Sequence, residues 1–188
     1  MNRIFSFLAL PLLLLWSACT TKADPIIENE EEVITDVIYQ LQPVGGGEEI
    51  TMTFSDPDGD GAEPAQINVT GPLAANTLYD GTLVVSNLSD SSNPEDITAE
   101  VVAEAEDHQF FYVPSTSLEV DLTYQDSDGD GKPLGVLTQL ATGGLSSGTL
   151  TIILRHLPNK SSQATISDPA GAGGETDVEV TFPVSIED

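Results

Sequence analysis

Basic side chains are scarce in this 188-residue chain: five Lys and Arg face 31 Asp and Glu, for a net charge of −26 with neutral histidines. That balance excludes nucleic acid as a partner, because phosphate binding needs a basic footprint. It also disfavours direct docking on anionic lipid head groups. Cations or basic partners suit such a charge, the plain alternative being a solvated acidic surface. Cysteine occurs once, at Cys19, so no internal disulfide can form. Histidine occurs twice, at His108 and His156. Long apolar runs are missing as well: residues 4–16 fall short of the about 20 residues that span a bilayer.

What the N-terminus does have is the order of a secretory signal. Arg3 supplies the charged start, residues 4–16 the apolar centre, and Ser17 and Ala18 the small residues before a cleavage point. Leu15-Trp16-Ser17-Ala18-Cys19 looks like a lipobox, with Trp16 where Leu is usual. The expectation is a signal peptide over residues 1–18, cleavage before Cys19, and lipid attachment there. Each buried methylene is worth about 0.8 kcal/mol, so several acyl chains anchor the chain stably at a membrane. Residues 19–32 hold Glu28, Glu30, Glu31 and Glu32 with too little apolar content to fold, which reads as a tether. Such an acidic stretch resembles the surface-export signals of Bacteroidota lipoproteins and implies an outer-membrane, lipid-anchored location. Residues 33–188 are one domain's length.

Period-two alternation dominates that domain. Strands are expected over residues 33–41, 50–54, 82–88, 118–124, 150–156 and 178–184, separated by turn residues such as Gly45-Gly46-Gly47. One helix is expected over about residues 94–107, with Asn93 as cap, Pro94 at the first helical position and Ile97, Val101 and Ala105 on the packed face. On that helix Glu100, Glu104 and His108 share an i, i+4 line. The fold class is all-β: an immunoglobulin-like antiparallel β-sandwich of seven to nine strands with one short crossover helix. Residues 49–61 echo residues 119–131, each a strand running into an aspartate loop, as if they were equivalent edges of two sheets.

Three motifs carry chemistry. Asp56, Asp58 and Asp60, and again Asp126, Asp128 and Asp130, match the first half of an EF-hand loop, with Gly61 and Gly131 at the bend. Position 12 should be Glu but is Ile67 or Leu137. Weak Ca²⁺ sites and plain Asp/Gly turns both fit this pattern. The two histidines form the second candidate: imidazole suits first-row transition metals or haem, with Glu104 and Asp107 as supporting carboxylates. The alternative places His108 as a cation at a helix C-terminus and His156 at a polar strand end. Third, Gly144-Leu145-Ser146-Ser147-Gly148 satisfies a hydrolase elbow motif, but strand residues follow it, so it reads as a hairpin loop.

Three segments together resemble one group of proteins: Glu106-Asp107-His108-Gln109-Phe110-Phe111, Leu154-Arg155-His156-Leu157-Pro158-Asn159-Lys160, and residues 172–182. They are similar to acidic Bacteroidota lipoproteins of the kind labelled "type 1 periplasmic binding domain-containing". That label implies alternating strands and helices, whereas the pattern here is β-rich. The resemblance implies association with TonB-dependent outer-membrane transporters. The expected function is therefore a membrane-anchored accessory or binding lipoprotein, not an enzyme, that captures a metal ion or metal complex through His108 and His156. Its partners would be the membrane, through the Cys19 lipid, and an outer-membrane transporter. The competing expectation is a structural or adhesion module whose Asp loops are rigidified by Ca²⁺.

Overall fold

Alternating apolar side chains can bury one face of a strand only against a second layer, and the chain supplies two such layers. The computed structural model describes residues 32–59 and 63–188. The signal segment, Cys19, most of the tether and Asp60 lie outside these residues. The strands run β1 (Asp36–Pro43), β2 (Ile50–Ser55), β3 (Gln66–Val69), β4 (Leu73–Ala74) and β5 (Leu78–Ser86). After helix α1 (Ile97–Ala103) come β6 (His108–Pro114), β7 (Val120–Tyr124), β8 (Leu137–Thr142), β9 (Ser146–His156) and β10 (Glu175–Glu187). A six-stranded sheet has the order β3-β2-β1-β5-β8-β7, and a four-stranded sheet the order β4-β10-β9-β6. All pairs are antiparallel except β4 with β10. The all-β sandwich with one short helix is thus present, with ten described strands rather than seven to nine.

The inner faces follow the alternation. Val37, Tyr39 and Leu41 of β1 and Leu83 and Val85 of β5 meet Phe110 and Tyr112 of β6, Leu150, Ile152 and Leu154 of β9, and Val180, Phe182 and Val184 of β10. Tyr39 and Tyr112 join the two layers with ring centroids 5.2 Å apart. The Tyr39 hydroxyl shares a 2.7 Å hydrogen bond with Thr138 Oγ1. Gly81 stands where a Cβ would lie 2.5 Å from that hydroxyl, so the strand carries no side chain there. Strand β6 is an edge, and its backbone is covered: Phe110 N donates to Leu134 O and Tyr112 N to Ile166 O, both at 2.7 Å.

The helix is shorter than the sequence pattern suggests. Asn87 and Glu95 exchange backbone hydrogen bonds, which keeps residue 95 extended. The cap is therefore Asp96, whose side chain accepts from Ala99 N, and not Asn93. Ile97 and Val101 are buried as expected. The helix stops at Ala103 with Glu104 as its C-cap, and the chain turns straight into β6. His108 therefore opens a strand and does not close a helix, and the i, i+4 line through Glu104 is broken.

Two further expectations change. The echoing segments sit in one sheet, since β2 and β7 both belong to the six-stranded layer. Residues 143–145 join β8 of one sheet to β9 of the other, so Gly144–Gly148 is a crossover rather than a hairpin. The strand β9 follows it directly, so the strand-to-helix context of a nucleophile elbow is missing here.

Candidate metal centre

In β9 the residues Leu150, Ile152, Leu154 and His156 alternate onto the buried face, and in β6 His108, Phe110 and Tyr112 do the same. The antiparallel register pairs Tyr112 with Ile152, Phe110 with Leu154, and His108 with His156. The two histidines therefore continue the core rows of adjacent strands at one end of the smaller sheet. Their rings stack with centroids 4.9 Å apart and 20° between planes. They are 0% and 2% exposed.

Asp177 completes the group. Strand alternation would place it on the outer face, between Thr176 and Val178. A bulge between these residues breaks the register: Thr176 pairs with Arg155, Val178 with Leu154, and Asp177 is the extra residue. Its side chain is fully buried, with Oδ2 4.0 Å from His108 Nε2 and Oδ1 3.9 Å from His156 Nδ1. One ligand atom from each of the three residues lies within 4.8 Å of the others.

The backbone holds this arrangement. Glu104 O receives the 3.2 Å hydrogen bond of His108 Nδ1. With Nδ1 donating there, Nε2 is the ring nitrogen left to face Asp177, and it is buried and has no hydrogen-bond partner. Leu157 follows His156 in the left-handed region, with φ 51°, and its N–H donates to Asp107 O at 2.6 Å. Gly174, also at positive φ, passes so close that a Cβ would lie 2.2 Å from His156 O. The start of β10 can approach the end of β9 because residue 174 has no side chain.

A second group shares His108: Glu32, Glu104 and His108 offer ligand atoms within 4.8 Å of one another. Burial raises the carboxyl pKa of Glu32 first, and the neighbouring charges of Glu100, Asp177 and Glu104 raise it further. Glu104 is exposed and Glu32 half-buried. Asp107 is exposed and stands outside both ligand groups, lining an open depression of about 370 Å³ with Glu104 and Glu106. Its contribution to the centre is the carbonyl that receives Leu157 N. Of the candidate ligands expected from the sequence, the structure brings His108, His156 and Glu104 into these two groups, completed by Asp177 and Glu32, which were not among the expected ligands. Continuing the core parity of β9 to residue 156 would have placed His156 inward; no periodic signal marks the bulge at Asp177.

The aspartate loops are built differently. Asp126 Oδ1 accepts from Gly135 N at 2.7 Å and Oδ2 from Leu137 N at 2.9 Å. Asp128 Oδ1 accepts from Asp130 N and Lys132 N, and Oδ2 takes the Lys160 ammonium at 3.0 Å. That ammonium also donates to Ala105 O and Pro133 O. Asp130 is exposed. Lys160 and backbone amides thus occupy the oxygens of Asp126 and Asp128 that a calcium loop would turn on its ion. In the other loop Asp58 Oδ2 accepts from Glu63 N, and Gly59 N bonds Asp56 O in a turn. Among the described residues, the groups of three ligand atoms are the two that share His108. Among these residues also, no helix is long and apolar enough to cross a membrane.

Compared with protein-family models, with curated proteins and with solved structures, the chain matches none.

Proposed function

We propose that this chain is a lipid-anchored binding protein for a divalent first-row transition-metal ion, held by His108, His156 and Asp177. The observation that carries the reading is the facing histidine pair with a buried carboxylate 3.9–4.0 Å away. Two imidazoles and one carboxylate form a mixed nitrogen and oxygen set suited to Zn²⁺, Cu²⁺, Ni²⁺ or Fe²⁺. A tetrahedral site with bonds of about 2.0–2.2 Å needs ligand atoms about 3.3 Å apart. The three ligand atoms lie within 4.8 Å of one another, so side-chain shifts of up to about 1.5 Å would bring them to that spacing. Burial of all three side chains favours a bare ion over haem or another bulky complex. Delivery to an outer-membrane transporter, with Cys19 as the lipid site, is the role that joins this centre to the N-terminal sequence.

Calcium-rigidified adhesion is the weaker reading, because amides and Lys160 already engage both oxygens of Asp126 and of Asp128. Calorimetric titration of metal-free residues 20–188 with Zn²⁺, Cu²⁺ and Ca²⁺ separates the two. Micromolar or tighter Zn²⁺ or Cu²⁺ binding supports the proposal. Heat from Ca²⁺ alone supports the alternative, and heat from none of the three rejects both.

A further inference from the structure

The Glu32–Glu104–His108 group adds something that a single buried centre does not need. Exposure falls along it: Glu104 is exposed, Glu32 half-buried, and His108 fully buried. The depression lined by Glu104, Glu106 and Asp107 opens Glu104 to solvent. In sequence, Glu32 directly follows the acidic run of Glu28, Glu30 and Glu31. At the inner end, His108 is 0% exposed and its Nε2 has no hydrogen-bond partner.

We propose that Glu32 and Glu104 form a loading position for the same transition-metal ion, sharing His108 with the inner centre and passing the ion to His156 and Asp177. This rests on the metal reading above. Stripping the water from a divalent ion in one step is costly, and exchanging water for carboxylate and then for imidazole divides that cost. Glu104 serves the route twice: its carboxylate meets the ion and its carbonyl fixes the His108 ring.

The test is stopped-flow uptake of Co²⁺ by the full chain in detergent, read from the visible absorption bands of the bound ion. Glu32→Gln with Glu104→Gln should slow uptake by about 10-fold or more, while the final spectrum and affinity stay as in the parent. Uptake slowed no more than by Glu48→Gln with Glu179→Gln, two exposed carboxylates elsewhere, overturns the loading position and leaves the inner centre standing. A changed final spectrum also overturns it, because the glutamates would then be ligands of the stable complex. Failure of the parent chain to bind either Co²⁺ or Zn²⁺ rejects the metal reading itself.

Discussion

Lys160 Nζ lies 3.0 Å from Asp128 Oδ2, with both side chains nearly buried. The pair joins the segment after β9 to the loop after β7. Through Ala105 O it also holds the turn that leads into His108. Removing one partner of a buried pair leaves the other charge stranded, at about 3–5 kcal/mol. Lys160→Met should lower stability by that order in urea denaturation. Asp128→Asn with Lys160→Met should cost less than the two single changes together. A single change within experimental error of zero would show that the pair contributes nothing.

Acid should weaken the same link. Burial opposes the charge of Asp128, but the Lys132 amide, the Lys160 ammonium and the Asp130 amide together hold its pKa below the usual 3.8. A carboxyl whose pKa is lower in the folded state adds stability above the unfolded value and loses it as pH falls through the folded one. The difference in stability between the parent and Asp128→Asn should therefore be constant above about pH 5 and shrink below 3.8. Denaturation midpoints measured from pH 7 to pH 2.5 check this; a difference that grows on acidification would reverse the sign.

Gly174 should be as restrictive as a ligand. It has φ 73°, and a Cβ there would lie 2.2 Å from His156 O and 3.0 Å from Pro158 N. Gly174→Ala must push β10 away from β9 beside Asp177. Backbone strain of this kind costs about 1–3 kcal/mol before any clash is counted. The variant should lose stability and bind Zn²⁺ more weakly. Gly171→Ala, also at positive φ but with open space around its Cβ, should keep Zn²⁺ affinity. Equal Zn²⁺ affinity in the parent and Gly174→Ala would show that this approach does not shape the centre.

The β-sandwich was legible because alternation is a local signal: residues 50–54, 118–124 and 150–156 carry it without help from the rest of the chain. Strand β6 was not, because Phe110, Phe111 and Tyr112 are all buried, two against the main core and Phe111 against a smaller outer cluster. A strand buried on both faces loses its alternation. The helix start was misjudged because the Asn87–Glu95 bridge is a tertiary contact that overrides Asn93-Pro94. Of the candidate centre, residue type alone gave the histidines. Their pairing needed the β6–β9 register, and Asp177 needed a bulge. The partners of the second aspartate loop were not legible from its motif, because its aspartates accept from backbone amides and from a lysine distant in sequence.

If His108, His156 and Asp177 hold a metal ion, binding should stabilise the fold by mass action. At free Zn²⁺ 100 times the dissociation constant the gain is about 2.7 kcal/mol. For a domain of this size that raises the melting temperature by about 5–11 °C. His108→Ala and His156→Ala should each abolish the rise. Asp177→Asn should reduce it, because the amide keeps an oxygen but loses the charge that draws the cation. Asp58→Asn should leave it intact, since Asp58 is exposed and belongs to neither ligand group. Differential scanning calorimetry with and without Zn²⁺ reads all four variants. A rise that survives in both histidine variants would place the ion elsewhere. A rise lost in the histidine variants but unchanged in Asp177→Asn would instead leave the histidine pair as the binding element and Asp177 as a packing residue.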